Sequence, residues 1–405
     1  MKILDSGTLR LKLNNPQRVL TAIPDSVPEN ANSVIVKWNI ENSRRLHRLD
    51  IDTPSPIRRD YDWPGMFKPY DHQRTTAEFL TLNDKAFCFS EQGTGKTAAA
   101  IWAADYLMNI GDIKRVLIVC PLSVMHSAWM TDLFKTVMHR TAAVAHGSKD
   151  KRREIIAGEF EFVIINYDGI PILPELAGKF DLIIADECNF VKSTTTRRWR
   201  AFNRLMLPGT KLWMMTGTPA AQSPVDAFGL ARLVNPKGVP KFYGSWRDKV
   251  MIQASQFRWM PRLDATRKVN AVLQPAIRFT KAACLDLPPI TYQTREVPLT
   301  KQQEKYYLQI KRRAVMVADG EIVSAVHAAA GLNKLLQISC GAVYADTGEV
   351  IDFNANNRLD EMLSAVQETS HKSIVFVPFR HAITLVANRL KKANINAEII
   401  NGSVP

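Results

Sequence analysis

The chain has 405 residues, 46% hydrophobic and 23% charged, an ordinary globular composition with room for two or three domains. Lys plus Arg total 53 against 39 Asp plus Glu, and the resulting +14 fits a polyanionic partner without specifying one. The five cysteines lie far apart with no CxxC pair, which argues against a zinc site or a disulfide framework, and no apolar run approaches the ~18 residues that span a bilayer. With no signal-peptide pattern at Met1–Asn15, a cytoplasmic location is expected, in a bacterial cell or a phage-infected host.

Residues 1–62 form one expected unit, a small β-rich accessory module. The run Ser33–Trp38 reads as a strand, and the basic stretch Arg44, Arg45, His47 and Arg48 reads either as a solvated face or as a DNA contact. Prolines 54, 56 and 64 bias their neighbours toward extended backbone and read as a linker.

From residue 63 to 235 short apolar runs alternate with helical patterns. The strands expected are Ala86–Phe89, Arg115–Cys120, Ala142–Ala145, Phe160–Ile165, Leu182–Ala185 and Lys211–Met215. Between them lie helical stretches such as Thr97–Asn109, Val124–Thr136 and Val225–Leu233, an alternation that predicts an α/β fold with a parallel sheet covered on both faces. Residues 236–355 read as mainly helical, and a second αβ unit is expected over 356–405, with strands Ser373–Val377 and Ala397–Ile400.

Three motifs carry chemistry. Ser90-Glu-Gln-Gly-Thr-Gly-Lys-Thr97 follows a strand and opens a helix, where Gly93, Thr94 and Gly95 leave room for backbone N–H groups to converge on phosphates. Lys96 would reach the β- and γ-phosphates of ATP and Thr97 would hold Mg²⁺; Ser90 replaces the first glycine of the strict pattern. Ninety residues after Lys96, a buried strand ends in Asp186-Glu187, with Asp186 placed to hold Mg²⁺ and Glu187 to orient or deprotonate the attacking water. Thirty residues further, Thr216-Gly-Thr218-Pro ends another strand, where two hydroxyls can relay the state of the γ-phosphate; alone it is merely a good turn.

The ordered series Lys68-Pro-Tyr-Asp-His-Gln73, EQGTGKT, Cys120-Pro-Leu-Ser-Val-Met125 with Trp129, Ile165-Asn-Tyr167, DEC and TGTPAAQSPVDAFGLARLVNP resembles the Swi/Snf ATPases of helicase superfamily two. It is most similar to their compact phage and bacterial members, related to the annealing-helicase branch. The resemblance continues through Arg278-Phe-Thr-Lys281, Leu287-Pro-Pro289, Lys334-Leu-Leu-Gln-Ile338 and Val375-Phe-Val-Pro-Phe379, and so covers roughly residues 65–405.

The resemblance implies tandem RecA-like lobes, the second incomplete, with a helical insertion between them. It makes Gln73 the adenine-recognising residue and assigns backbone contacts with nucleic acid to Pro121, Leu122, Ser123, Asn166 and Tyr167, and to Gly402 and Ser403 in the second lobe. It makes Thr216 and Thr218 the coupling element. The function implied is an ATP-dependent translocase or helicase-like motor on double-stranded or branched DNA. Rival readings are a strand-separating or branch-migrating helicase, a non-catalytic ATP- and DNA-binding module, and a P-loop kinase, which would leave the chain after Thr216 unexplained.

Two departures from the family pattern stand out. Asn189 occupies the place of a histidine in Asp186-Glu-Cys-Asn189, which puts coupling of hydrolysis to movement in doubt. No arginine-bearing final motif of the family's type occurs between Arg358 and Pro405, so a truncated gene product, a split gene, or a fragment completed by another polypeptide is expected. Arg197, Arg198 and Arg200 read equally as a DNA path or a solvated helix face.

Overall fold

The computed structural model describes all residues except 5–6, 221, 257, 287, 319–324, 345–348 and 403–405, and leaves the side chains of 313–318 and 325–329 undescribed. The chain divides into two compact units, Met1–Pro288 and Pro289–Pro405.

The first unit begins with an antiparallel sheet in the order β1-β2-β4-β3, made by β1 (Lys2–Leu4), β2 (Thr8–Lys12), β3 (Val27–Asn30) and β4 (Ser33–Lys37). Alternation along the strands turns Leu9, Leu11, Val34 and Val36 to one face, where Val19 and Leu46 from two helices close a small core. The helix Ile40–Arg48 is N-capped by Asn39, whose Oδ1 accepts from Asn42 N at 2.8 Å.

This module does not hang on a linker. Arg44, only 8% exposed, donates through Nε to Thr81 O at 2.9 Å and through Nη1 to both carboxylate oxygens of Asp112 at 3.1 Å. The Pro-rich segment is stitched down as well: Ser55 is fully buried, its Oγ bonded to Thr81 Oγ1 at 2.8 Å and its N–H donating to Glu78 Oε1 at 2.9 Å. So the linker expected at Thr53–Pro56 is part of the packed interior, and the first cation of the basic run is a staple between module and lobe. The proline-biased extended backbone is present, but here it lies along the helix Asp71–Leu82.

The lobe itself is a seven-stranded parallel sheet. Its strands in chain order are β5 (Lys85–Cys88), β6 (Val116–Cys120), β7 (Ala142–Val144), β8 (Phe162–Asn166), β9 (Leu182–Asp186) and β10 (Lys211–Met215). The chain then makes an excursion carrying β11 (Met251–Ser255) and β12 (Arg258–Pro261), an antiparallel pair, before returning as the two-residue β13 (Ala276–Ile277). Spatial order is β13-β5-β10-β9-β6-β8-β7. All six strands expected by alternation form, within a residue or two of their predicted ends. Apolar clusters lie on both faces of this sheet, as its continuous hydrophobic runs require. The sheet also takes a strand from well beyond residue 235, because Ala276 and Ile277 pair in parallel with Phe87 and Cys88.

The second unit holds the helices Lys301–Ala318, Ala325–Ser339, Asn356–Gln367 and Arg380–Lys392, with an antiparallel hairpin of β14 (Ala342–Tyr344) and β15 (Val350–Asp352). Ile338, Val343 and Phe353 make its small core, and Gln303 Nε2 donates to Ile338 O at 2.7 Å. The two strands expected at Ser373–Val377 and Ala397–Ile400 are not formed. Neither run joins a ladder, and Ile374, Phe376 and Ile400 are 80%, 90% and 91% exposed. An apolar run becomes a strand only when a neighbour takes up its N–H and C=O groups.

Candidate nucleotide site and nucleic-acid interface

The topology places the three motifs side by side. β10 lies between β5 and β9, with Met215 level with Cys88 on one side and Asp186 on the other. The loops that follow these three strands therefore meet at their carboxyl ends, where ligands bind in open α/β sheets.

Gly93 and Gly95 both take positive φ, +82° and +75°, which non-glycine residues rarely adopt. Gly95 caps the 14-residue helix Lys96–Asn109, whose first N–H groups have no intrahelical partner. A Cβ at Gly95 would collide with the Gln73 side-chain amide, so that amide lies directly on the loop. Gln73 Oε1 accepts from Tyr70 N at 2.8 Å, and His72 Nε2 is 2.8 Å from Thr94 O. Lys96 Nζ is 3.4 Å from Glu91 O.

The loop is also buttressed from far along the chain. Ser90 Oγ accepts from Phe279 N at 3.1 Å and Glu91 Oε2 from Lys281 N at 2.9 Å, while Glu91 N donates to Phe279 O at 2.9 Å. Ser90, the residue standing where the strict motif has glycine, thus receives a backbone N–H from the Arg278–Lys281 segment. Spacing alone gave no role to either.

On the acidic side, Glu187 adopts a left-handed backbone (φ 49°, ψ 53°), a strained conformation for a residue with a Cβ. Burial pushes the Asp186 carboxyl above the usual carboxylate range; the Trp129 indole N–H, donating to Oδ2 at 2.9 Å, opposes that shift. Trp129 comes from a π-helix, Met125–Met130, a conformation that often marks functional sites.

Thr216 joins the acids to the third loop. Its Oγ1 accepts from Asn189 Nδ2 at 3.1 Å and from Thr218 N at 3.3 Å, and donates to Glu187 Oε2 at 3.1 Å. Both groups facing its lone pairs are obligate donors, so its single proton is directed to Glu187. Asn189 Nδ2 also donates to Thr218 O at 3.0 Å. The asparagine that replaces histidine therefore bridges the acidic motif and the Thr216–Thr218 loop, a contact that does not depend on a titrating ring.

The side chains assigned to nucleic acid are divided. Leu122 is 55% exposed and Ser123 is exposed, at the turn after β6, with Pro121 half-buried. Asn166 and Tyr167 are turned inward: Asn166 Oδ1 accepts from Arg152 Nη1 at 2.9 Å, and the Tyr167 hydroxyl donates to Asp186 O at 2.7 Å. Phe190, 42% exposed, stacks on Tyr167 at 5.1 Å. In the arginine cluster Arg198 is held bidentate by Asp168 at 2.6 and 2.8 Å, which keeps that carboxyl below its usual range, whereas Arg197 is exposed. Gly402 is exposed in the second unit, and Ser403 lies outside the described residues.

A nucleotide triphosphate with Mg²⁺ fits this arrangement. Two glycines and a helix N-terminus offer backbone N–H groups that carry no side chain of their own, and Asp186 is a carboxyl whose ionised form, disfavoured by burial, a bound cation would stabilise. Among the described residues no group of three or more His, Cys, Asp or Glu could hold a metal by itself. The five cysteines are free, and burial raises the Cys88, Cys120 and Cys188 thiols. No helix among the described residues is long and apolar enough to cross a membrane.

Residues 36–340 match the SNF2-related domain. Protein p41 of Acyrthosiphon pisum secondary endosymbiont phage 1 is 26% identical over 299 residues, covering 69% of this chain and 65% of that protein. The Drosophila melanogaster homolog of the SWI/SNF-related, matrix-associated, actin-dependent regulator of chromatin subfamily A containing DEAD/H box 1 is 25% identical over 269 residues, 59% of this chain and 31% of the relative. The matches thus span less than two thirds of either relative. The Sulfolobus solfataricus SWI2/SNF2 ATPase core, solved in complex with dsDNA, superimposes with a TM-score of 0.50 at 20% identity, over 82% of this chain and 71% of that one.

Proposed function

The chain belongs to the SNF2-related domain family, and from that premise we propose that it is an ATP-driven motor acting on double-stranded or branched DNA. The observation that carries this reading is the junction of β5, β10 and β9, which gathers a phosphate loop, two carboxylates and a hydroxyl relay at one end of one sheet. In this reading Gln73, whose amide lies on the loop, would recognise adenine, the amides of Gly93–Thr97 would meet the phosphates, and Lys96 would turn from Glu91 O to the β- and γ-oxygens. Thr97 and Asp186 would hold Mg²⁺, which would supply charge neutralisation on the phosphates. Glu187, steadied by Thr216, orients or deprotonates the attacking water. Because Asn189 ties Thr216 to the Thr218 backbone, a displacement of Glu187 is felt in the loop that couples nucleotide state to DNA grip. The exposed Leu122–Ser123 turn and the exposed Arg197 are the candidates to meet DNA backbone, a contact that reads charge and shape more than sequence.

The test is ATP turnover by the 405-residue chain with and without duplex DNA, beside Lys96→Ala. Duplex-stimulated turnover that falls about 100-fold or more in the variant, the scale of removing one key electrostatic stabiliser, supports a motor. Binding of ATP and duplex without turnover favours the alternative of a nucleotide- and DNA-binding module that acts with another polypeptide. Strand displacement measured on the same duplex separates a helicase from a translocase. Failure to bind ATP sinks the proposal.

A further inference from the structure

The excursion between the third motif and β13 carries a feature that the nucleotide site does not use. It leaves after the helix Ala227–Val234 and re-enters beside β5, the strand that runs into the phosphate loop. Its root is packed and hydrogen-bonded: Trp246 is 2% exposed and Arg262 Nε donates to the carbonyls of Asp248 and Met251 at 3.0 Å each. Lys268 Nζ donates to Lys249 O at 2.9 Å, and the Arg247 guanidinium lies 4.0 Å from the Trp259 ring centroid. From this base projects the two-stranded ribbon β11–β12, in which Ile252 faces Met260 across the strands.

The ribbon carries one cation, Arg258, with Lys249 at the end of the helix that leads into it, and its apolar face is bare. Lys237 to Lys268 contains eight basic residues and two acidic ones, and no carboxylate occurs between Asp248 and Asp264. Lys249 and Arg258 are exposed, and so are Ile252 and Met260 at 51% and 46%. A lone two-stranded ribbon with an apolar face is marginal in water and is a pairing hazard unless something covers it. A second copy of the chain would bring the same positive charge to the contact, so the cover must be anionic.

We propose that the β11–β12 ribbon is a second nucleic-acid contact, lying in a groove of duplex DNA with Lys249 and Arg258 on flanking phosphates and Ile252 and Met260 against the groove interior. The major groove, about 12 Å wide, admits a two-stranded ribbon. This inference rests on the reading of the chain as a DNA motor and adds a site separate in sequence from the Pro121–Ser123 turn. Because the excursion ends on the strand that feeds the phosphate loop, DNA seated on the ribbon bears mechanically on that loop.

The experiment measures duplex affinity of the full chain against salt concentration, for the parent and for Lys249→Gln with Arg258→Gln. Circular dichroism checks that both are folded. Loss of two phosphate contacts lowers the log–log salt slope by about 2 and weakens binding several-fold at fixed salt. A parent that binds duplex with a slope the double variant leaves unchanged overturns the ribbon contact while leaving the motor reading intact. A parent that binds no duplex at all removes both. Should the double variant misfold, a photoreactive phenylalanine analogue in place of Gln253 decides the matter. Crosslinks to duplex support the contact; crosslinks solely within the chain, or to a second copy, overturn it.

Discussion

Val116-Leu-Ile-Val-Cys120 in the first unit and Ser373-Ile-Val-Phe-Val377 in the second are nearly interchangeable as strings of apolar residues, yet they end in opposite states. The first is β6, paired with β8 and β9 and fully buried. The second is unpaired, with Phe376 90% exposed. What separates them is company. β6 lies inside a sheet whose two faces are packed by apolar clusters, whereas the 373–377 run has no ladder among the described residues. β-propensity measures fit to a half-buried, paired surface and confers no structure on a segment without neighbours.

The comparison can be broken or sharpened by substitution. All eight tryptophans precede residue 260, so tryptophan fluorescence during urea unfolding reports the first unit, and far-UV circular dichroism follows the helices of both. The largest change is expected from Arg44→Ala, which removes the buried bonds to Thr81 O and both oxygens of Asp112, leaving Asp112 with Lys211 alone at 3.4 Å, and so loosens the module on the lobe. A loss of about 3–5 kcal/mol is expected, and a fluorescence midpoint that does not move would show the module to be a bystander. Ile118→Ala in β6 follows, at about 2–5 kcal/mol for a buried aliphatic truncation.

A subtler test concerns Asp186. Trp129→Phe removes the donor that opposes the burial-driven rise of this carboxyl, so its protonation moves to still higher pH. Since Mg²⁺ needs the ionised form, Mg²⁺-nucleotide binding should weaken on the order of tenfold, the size of one hydrogen bond to a charged group, and more steeply as pH falls. Stability without nucleotide has the opposite sign. A carboxyl raised in the folded state contributes stability at low pH that is lost as pH rises through its folded pKa, and the variant should lose more. Mg²⁺ titrations and urea midpoints between pH 4 and 7 check both halves. The smallest effect belongs to Phe376→Ala, within about 0.5 kcal/mol by circular dichroism, as for other exposed side chains. A large loss there would mean the run has packing that its exposure does not reveal.

Local signals explain which parts of the molecule were legible. Strands buried on both faces announce themselves as continuous apolar runs, and the phosphate loop, Asp186 and Thr216 sit at strand ends where their motifs predict. β13 did not announce itself, since two residues carry no periodicity and its partner is distant in sequence. Arg44 looked like one of four surface cations because a charge run does not disclose which member is stapled. Asn189 looked like a defect, yet an amide supplies the donor that the relay uses. Tyr167 sits where a nucleic-acid contact was expected, but its hydroxyl holds the carbonyl of Asp186 from within.

The late arrival of β13 has a consequence for synthesis of the protein. The amides of Phe279 and Lys281 that brace Ser90 and Glu91 lie 189 and 190 residues downstream of them. At about 5–20 residues per second, a ribosome takes roughly 10–40 s to cover that span. Throughout this interval the nascent phosphate loop has its glycines but not its far support, a long-range closure that slows folding as any non-local pairing does. If the site binds ATP as proposed, the nucleotide would act on the newborn chain late, drawing the completed lobe together once Lys281 has emerged.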